Sequence, residues 1–72
     1  MEEPGGALVG TVVEQLPSAL YRVELEGRHR VVAHPGEGVH RNFVRILVGD
    51  RVLVELSPFD RTRGRIIRRV EA

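Results

Sequence analysis

The 72-residue chain contains no cysteine, no lysine and no tryptophan, and it has no long apolar run. Without cysteine it can form neither a disulfide framework nor a cysteine-based zinc site, which is typical of a reducing compartment. No apolar run approaches the roughly 18 residues of a membrane span, and the first six residues, MEEPGG, do not resemble a secretory signal. We therefore expect a cytoplasmic protein with a flexible tail at residues 1–6 and no membrane segment.

The length allows a single domain, residues 1–72. A chain of this size buries only about 60% of its extended surface on folding, so its core must be small and continuous.

Basic residues are unevenly distributed. All eleven are arginine, and the net charge is +1. Residues 1–40 carry three arginines and six glutamates, which gives −3, whereas residues 41–72 carry eight arginines and four acids, which gives +4. Guanidinium groups bind phosphate bidentately and stack on bases, so the second part of the chain is the candidate nucleic-acid surface.

Apolar residues recur with a period of two rather than 3.6, which indicates strands. The predicted strands are Leu8–Gln15, Tyr21–Leu25, His29–His34, Arg51–Leu56 and Arg65–Val70. Gly10 lies inside the first and predicts a bulge or sharp bend. Alternation in the last places Arg68 on the same face as Ile66.

The connections predict the fold. Pro17 and Gly27 mark tight turns, whereas the link from Pro35 to Gly49 is long. Five strands without a long helix fit a five-stranded Greek-key OB-fold barrel or an SH3-like barrel. The long link, with a short helical turn between strands 3 and 4, favours the all-β OB fold, and an open two-layer sheet would expose long edges.

No catalytic arrangement is visible. His29, His34 and His40 have no carboxylate or cysteine at a metal-ligand spacing, and the serines lie in turns. We expect no catalytic residues, no metal site and no cofactor.

Nucleic-acid binding has better support. Two guanidinium groups, an amide and an aromatic ring lie within five residues, at Arg41, Asn42, Phe43 and Arg45. This mixture can hold an RNA backbone while stacking on an unpaired base. A second basic group comes from the last loop and strand, at Arg61, Arg63, Arg65, Arg68 and Arg69. The simpler interpretations are that Phe43 and its apolar neighbours cap the barrel and that the arginines form an ordinary solvated surface.

Two segments are specific enough to indicate a family. GTVVEQLPSALYRVEL, followed by RNFVRILVGDRVLVELSPFDRTRGRI, resembles bacterial translation initiation factor one from about Gly10 to Arg69. The resemblance implies a monomeric OB barrel that binds the small (30S) ribosomal subunit at the aminoacyl-tRNA (A) site. It also implies contacts with the 16S rRNA decoding region and a neighbouring ribosomal protein, and cooperation with initiation factors two and three.

The resemblance also assigns residues. Arg41, Asn42, Arg45, Arg63 and Arg65 match the family's RNA-contacting loops. Together with His34, His40, Phe43 and Arg69, which come from the residue patterns alone, they form the predicted RNA-binding set. Gly49 and Asp50 are expected to form the turn into the fourth strand, and Gly64 to have a structural role. The chain departs from the family's S-G-K-M-R-K pattern at residues 36–41, where Glu37, Gly38 and His40 reduce the positive charge.

Two alternatives remain. One is a general single-stranded RNA or DNA binder on the same fold. The other is a protein-interaction module, which needs an aromatic-lined peptide groove and is opposed by the presence of only three aromatic residues, Tyr21, Phe43 and Phe59.

Overall fold

The computed structural model describes residues 7–41 and 45–70, with the backbone alone at residues 40 and 41. The strands are β1 (Ala7–Leu16), β2 (Leu20–Glu24), β3 (Arg30–Pro35), β4 (Arg51–Leu56) and β5 (Arg63–Arg69). A 3₁₀ turn, Glu26–Arg28, connects β2 to β3, and a short helix, α1 (Glu37–Arg41), follows β3. The all-β prediction with a helical turn between strands 3 and 4 is confirmed. The predicted flexible tail, residues 1–6, lies outside the described residues.

The five strands close into a barrel in the order β1-β2-β3-β5-β4. Closure depends on β1, which pairs with β4 through its first half and with β2 through its second half, with Thr11 paired on both sides. All neighbouring strands pair antiparallel except β3 and β5, which are parallel. This is the five-stranded barrel of the OB fold, and closure removes the exposed edges that an open sheet would leave.

The core consists of the inward positions of every strand. Valines dominate it, and a β-branched side chain packs well on a pleated surface. The buried apolar residues are Val12, Val23, Leu25, Val31, Ala33, Val39, Ile46, Val52, Val54 and Ile66. Two of them come from the long link, Val39 from α1 and Ile46 from the segment before β4. The long link therefore contributes to the core as well as connecting strands.

Gly10 does not form the predicted bulge. The register shift in β1 lies between Val12 and Glu14, two residues further on. A Cβ atom at Gly10 would lie 2.6 Å from Cγ1 of Val23 and 2.7 Å from Cδ2 of Leu25. Glycine is needed here because Val23 and Leu25 leave no room for a side chain, not because the strand bulges.

The expected position of Arg68 is also wrong. Leu53 pairs with Arg68 and Val54 with Ile66, so Ile67 is an extra residue in β5. The bulge reverses the alternation after Ile66, and Arg68 lies exposed beside Leu53. No guanidinium enters the core at this position.

The Gly10→Ala substitution should destabilise the fold by about 1–3 kcal/mol, since the added methyl group overpacks the β1–β2 contact. Urea denaturation should show a lower midpoint with an unchanged m-value. Gly38→Ala is the matched control, because a Cβ atom at Gly38 has no neighbour within 4 Å. Equal midpoints for the two variants would contradict the packing account.

Candidate nucleic-acid interface

Three charged or polar side chains form a row across the outside of the barrel. Arg65 on β5 is in register with His34 on β3 and with Glu55 on β4. Cross-strand partners in register project from the same face of a sheet. Arg65 therefore lies at the centre of the row, between a histidine and a carboxylate.

The row lies along a groove, which we call the β3–β5 groove. Its volume is about 680 Å³, and it is lined by Leu20, Val32, His34, Glu55, Leu56, Ser57, Pro58, Arg63, Gly64 and Arg65. Its walls combine apolar side chains, which can contact a base or a sugar, with guanidinium groups, which can bind phosphate. Three predicted binding residues, His34, Arg63 and Arg65, meet here.

Arg65 is held in place by an ion pair. Its Nη2 donates to Oε1 of Glu55, and the two side chains are 53% and 31% exposed. One carboxylate oxygen occupies a small part of the five-donor guanidinium fork, so donors remain for an incoming phosphate. The pair orients the cation and also places a negative charge next to it.

Gly36 allows this arrangement and was not assigned a role from the sequence. Its backbone N–H donates to the carbonyl oxygen of Ile66 at 2.8 Å. A Cβ atom there would lie 2.8 Å from that oxygen and 3.2 Å from Cγ of Arg65. The chain leaving β3 can therefore run closely against the aliphatic part of Arg65. The sequence shows a glycine directly after a predicted strand, which could have indicated a close backbone contact. Which residues of β5 it contacts is decided only by the fold.

Arg63 is the first residue of β5 and directly follows the loop between β4 and β5. Its Nε lies 3.7 Å from Oδ2 of Asp60, with both side chains largely exposed. The hydroxyl of Thr62 donates to Asp60 at 2.6 Å and lowers the pKa of that carboxyl, assisted by the Thr62 backbone N–H and by Arg63. The acid is therefore ionised, and it stabilises the loop.

Arg69 lies outside the groove. It ends β5, six residues after Arg63, which corresponds to roughly 20 Å along a strand. Its Nε lies 3.6 Å from Oδ2 of Asp50. Asp50 also accepts a hydrogen bond from the Leu47 backbone at 2.9 Å, so Arg69 supports the turn before β4.

The expected Gly49-Asp50 turn is confirmed. Gly49 has φ +101°, and its N–H donates to the carbonyl oxygen of Val12 at 2.8 Å. Arg45 is exposed just before the buried Ile46, and the groove lining does not include it. Gly64 is buried, and a Cβ atom there would lie 2.8 Å from Cγ1 of Val54, which explains its structural role.

The remaining predicted residues lie in the long link. His40 and Arg41 belong to the last turn of α1, which packs against β5 and β3, but their side chains lie outside the description. Asn42 and Phe43 lie outside the described residues altogether. Whether these four share a face with the groove stays a prediction.

Within residues 7–41 and 45–70, no group of three histidine, cysteine or acidic side chains is placed to hold a metal ion. No helix in this part of the chain has the length and apolar composition needed to cross a membrane.

Comparison with known proteins agrees with the geometry. The family model of translation initiation factor 1A / IF-1 matches residues 1–72. The solution structure of translation initiation factor one from the Wolbachia endosymbiont strain TRS of Brugia malayi matches 99% of this chain and 87% of its own, with 41% identity and a TM-score of 0.76.

A second match shows the same barrel inside a larger protein. The crystal structure of YjeQ from Thermotoga maritima matches 90% of this chain but 23% of its own, with 26% identity and a TM-score of 0.71. The likeness to YjeQ concerns the barrel alone.

The closed barrel with a basic, partly apolar groove defines an OB-fold protein of the RNA-binding class. The chain belongs to the translation initiation factor 1A / IF-1 family and is a translation initiation factor. The resemblance seen in the two sequence segments is thereby confirmed.

The Asp60→Asn variant should be less stable than the parent at neutral pH. Because the folded-state pKa of Asp60 is lowered, its carboxylate stabilises the folded protein at pH values above the ordinary pKa of 3.8. That contribution disappears as the pH falls through the folded-state pKa, so the difference in Tm should shrink below pH 3.8. Thermal unfolding followed by circular dichroism between about pH 7 and about pH 2 measures it. A constant difference in Tm would argue against the Thr62–Asp60 contact as its cause.

Proposed function

We propose that this protein binds the small ribosomal subunit at the A site, through contacts between its basic surface and the rRNA of the decoding region. The observation that carries the proposal is the Arg65-centred groove in a chain of the initiation factor family. Phosphate groups would bind Arg65 and Arg63, and unpaired bases or sugars would contact the apolar walls.

The proposed action is occlusion together with a shift in conformation. A bound barrel would block the A site and favour the subunit conformation that it binds best. Neither effect requires covalent chemistry, and we propose none. The proposed partners are the rRNA, a neighbouring ribosomal protein and initiation factors two and three, with the protein acting as a cytoplasmic monomer.

The link between β3 and β4 is proposed to form the second contact with the rRNA. Arg45 is exposed in the part of this link that precedes β4, next to the buried Ile46. A buried anchor beside an exposed cation would hold the guanidinium at a defined place relative to the barrel. Arg41, Asn42, Phe43, His34 and His40 complete the proposed surface.

The Arg45→Ala plus Arg65→Ala variant should bind purified small subunits more weakly. Each lost phosphate contact should lower the slope of log K against log salt by roughly 0.7 to 0.9. Arg51→Ala is the control for loss of an exposed cation, because Arg51 lies at the start of β4, outside the groove lining. Equal affinity of the double variant and the parent would refute the residue assignment.

The same titration tests the function itself. No association of the parent with small subunits at low salt would refute it. Similar affinity for unstructured oligonucleotides and for subunits would favour the alternative of a general single-stranded RNA or DNA binder. Chemical footprinting of the rRNA with and without the protein would locate the site.

The Glu55→Gln variant should bind small subunits more tightly, by about 1.5- to 5-fold at low salt, a range that corresponds to the free energy of an exposed ion pair. Glutamine can still accept a hydrogen bond from Arg65, whereas the negative charge beside the phosphate site is lost. Glu14→Gln changes the net charge equally, but Glu14 lies on β1, pairs with Arg22 at 3.0 Å and does not line the groove. This variant should therefore have a smaller effect. If both variants gain affinity equally, net charge and not the Arg65 contact is responsible.

A further inference from the structure

Phe59 is the most exposed of the large apolar side chains in the described part of the chain. It is 95% exposed, whereas Val48, the next, is 61% exposed. The ring lies at the bend of the loop between β4 and β5, residues 57–62, and takes no part in the hydrophobic core. Its position therefore needs an explanation other than packing.

The loop that carries Phe59 is well ordered by its own hydrogen bonds. Oγ of Ser57 accepts from the backbone N–H groups of Phe59 at 3.2 Å and Asp60 at 3.3 Å. Oδ1 of Asp60 accepts from the Thr62 backbone at 3.0 Å, and Ser57 N–H donates to the Arg63 carbonyl at 2.9 Å. The ring is thus presented on a preorganised support, which lowers the entropic cost of using it in binding.

The loop that carries Phe59 contains Arg61, is followed by Arg63 and borders the β3–β5 groove. Pro58 on one side lines the β3–β5 groove, as does Arg63 at the end of the loop. Arg61 in the same loop is exposed, and Asp60, the acid in this loop, already interacts with Thr62 and Arg63. An aromatic ring next to guanidinium groups suits a nucleotide, because the ring can stack on the base while the cations bind phosphate.

We propose that Phe59 is a stacking platform for one unpaired base of an RNA whose phosphates bind Arg63 and Arg65. This inference rests on the proposed RNA-binding function and adds a residue that the sequence did not indicate. It extends the binding surface from the β3–β5 groove onto the loop between β4 and β5.

A series at position 59 tests the proposal with purified small subunits and with an unstructured RNA of about ten nucleotides. Loss of one base stack corresponds to roughly 5- to 150-fold weaker binding, so Phe59→Ala should lose affinity in this range. Phe59→Leu should lose nearly as much, because an aliphatic side chain cannot stack, whereas Phe59→Trp should keep or gain affinity. Leu8→Ala is the control for removal of an exposed apolar side chain, because Leu8 lies on β1, is 45% exposed and does not line the groove.

The Phe59→Trp variant also gives a direct signal, because the chain contains no other tryptophan. Its fluorescence should be quenched when the short RNA stacks on the indole, whereas the fluorescence of Leu8→Trp, on β1 and outside the groove lining, should not change. Three results would overturn the proposal. The first is an unchanged affinity of Phe59→Ala, and the second is emission of Phe59→Trp that stays unquenched at saturating RNA. The third is full affinity of Phe59→Leu, which would indicate that the side chain binds a protein pocket and not a base.

The two probes separate this proposal from the proposed function. A parent protein that binds the short RNA but not the subunits refutes the ribosomal function, and the series at position 59 then still decides the stacking proposal on the short RNA. Absence of binding to both probes refutes both.

Discussion

The structure depends on the double pairing of β1. One strand hydrogen-bonds to β4 with its first half and to β2 with its second, and at Gly10 it lies so close to Val23 and Leu25 that no side chain would fit. Gly10 makes that approach possible. Once β1 closes the ring, valine side chains from all sides meet in the centre, and a chain of this length obtains a continuous core without disulfides.

Closure also creates the candidate interface. Because the ring is complete, β3 and β5 lie next to each other in parallel, although they are far apart in the chain. Their register places His34 beside Arg65 and Val32 beside Arg63. The β3–β5 groove therefore follows from strand order, which brings together residues that no local pattern connects.

Each of the three acids that the structure describes in the second half of the chain pairs with an arginine. Asp50, Glu55 and Asp60 lie next to Arg69, Arg65 and Arg63, respectively. Exposed ion pairs of this kind add little to stability, typically about 0–1 kcal/mol, but they restrict where a flexible guanidinium can point. Arg63, Arg65 and Arg69 are therefore oriented cations with donors still available. Such an arrangement suits a partner whose phosphates have fixed positions.

The sequence by itself determined the class of fold, the five strands and the family, because period-two alternation and the two family segments are local properties of the chain. It also located the Gly49-Asp50 turn through the family resemblance, and the structure gives Gly49 the positive φ that glycine favours. It misjudged the bulge at Gly10 and the face of Arg68, because the tight contact of Gly10 with Val23 and Leu25 and the bulge at Ile67 arise only when strands pair. It did not assign a role to Gly36, because the contacts of Gly36 with Ile66 and Arg65 are non-local. Only the tertiary structure decided which arginines share a surface: register joined Arg63 and Arg65 with His34 and directed Arg69 to Asp50 at the other end of β5.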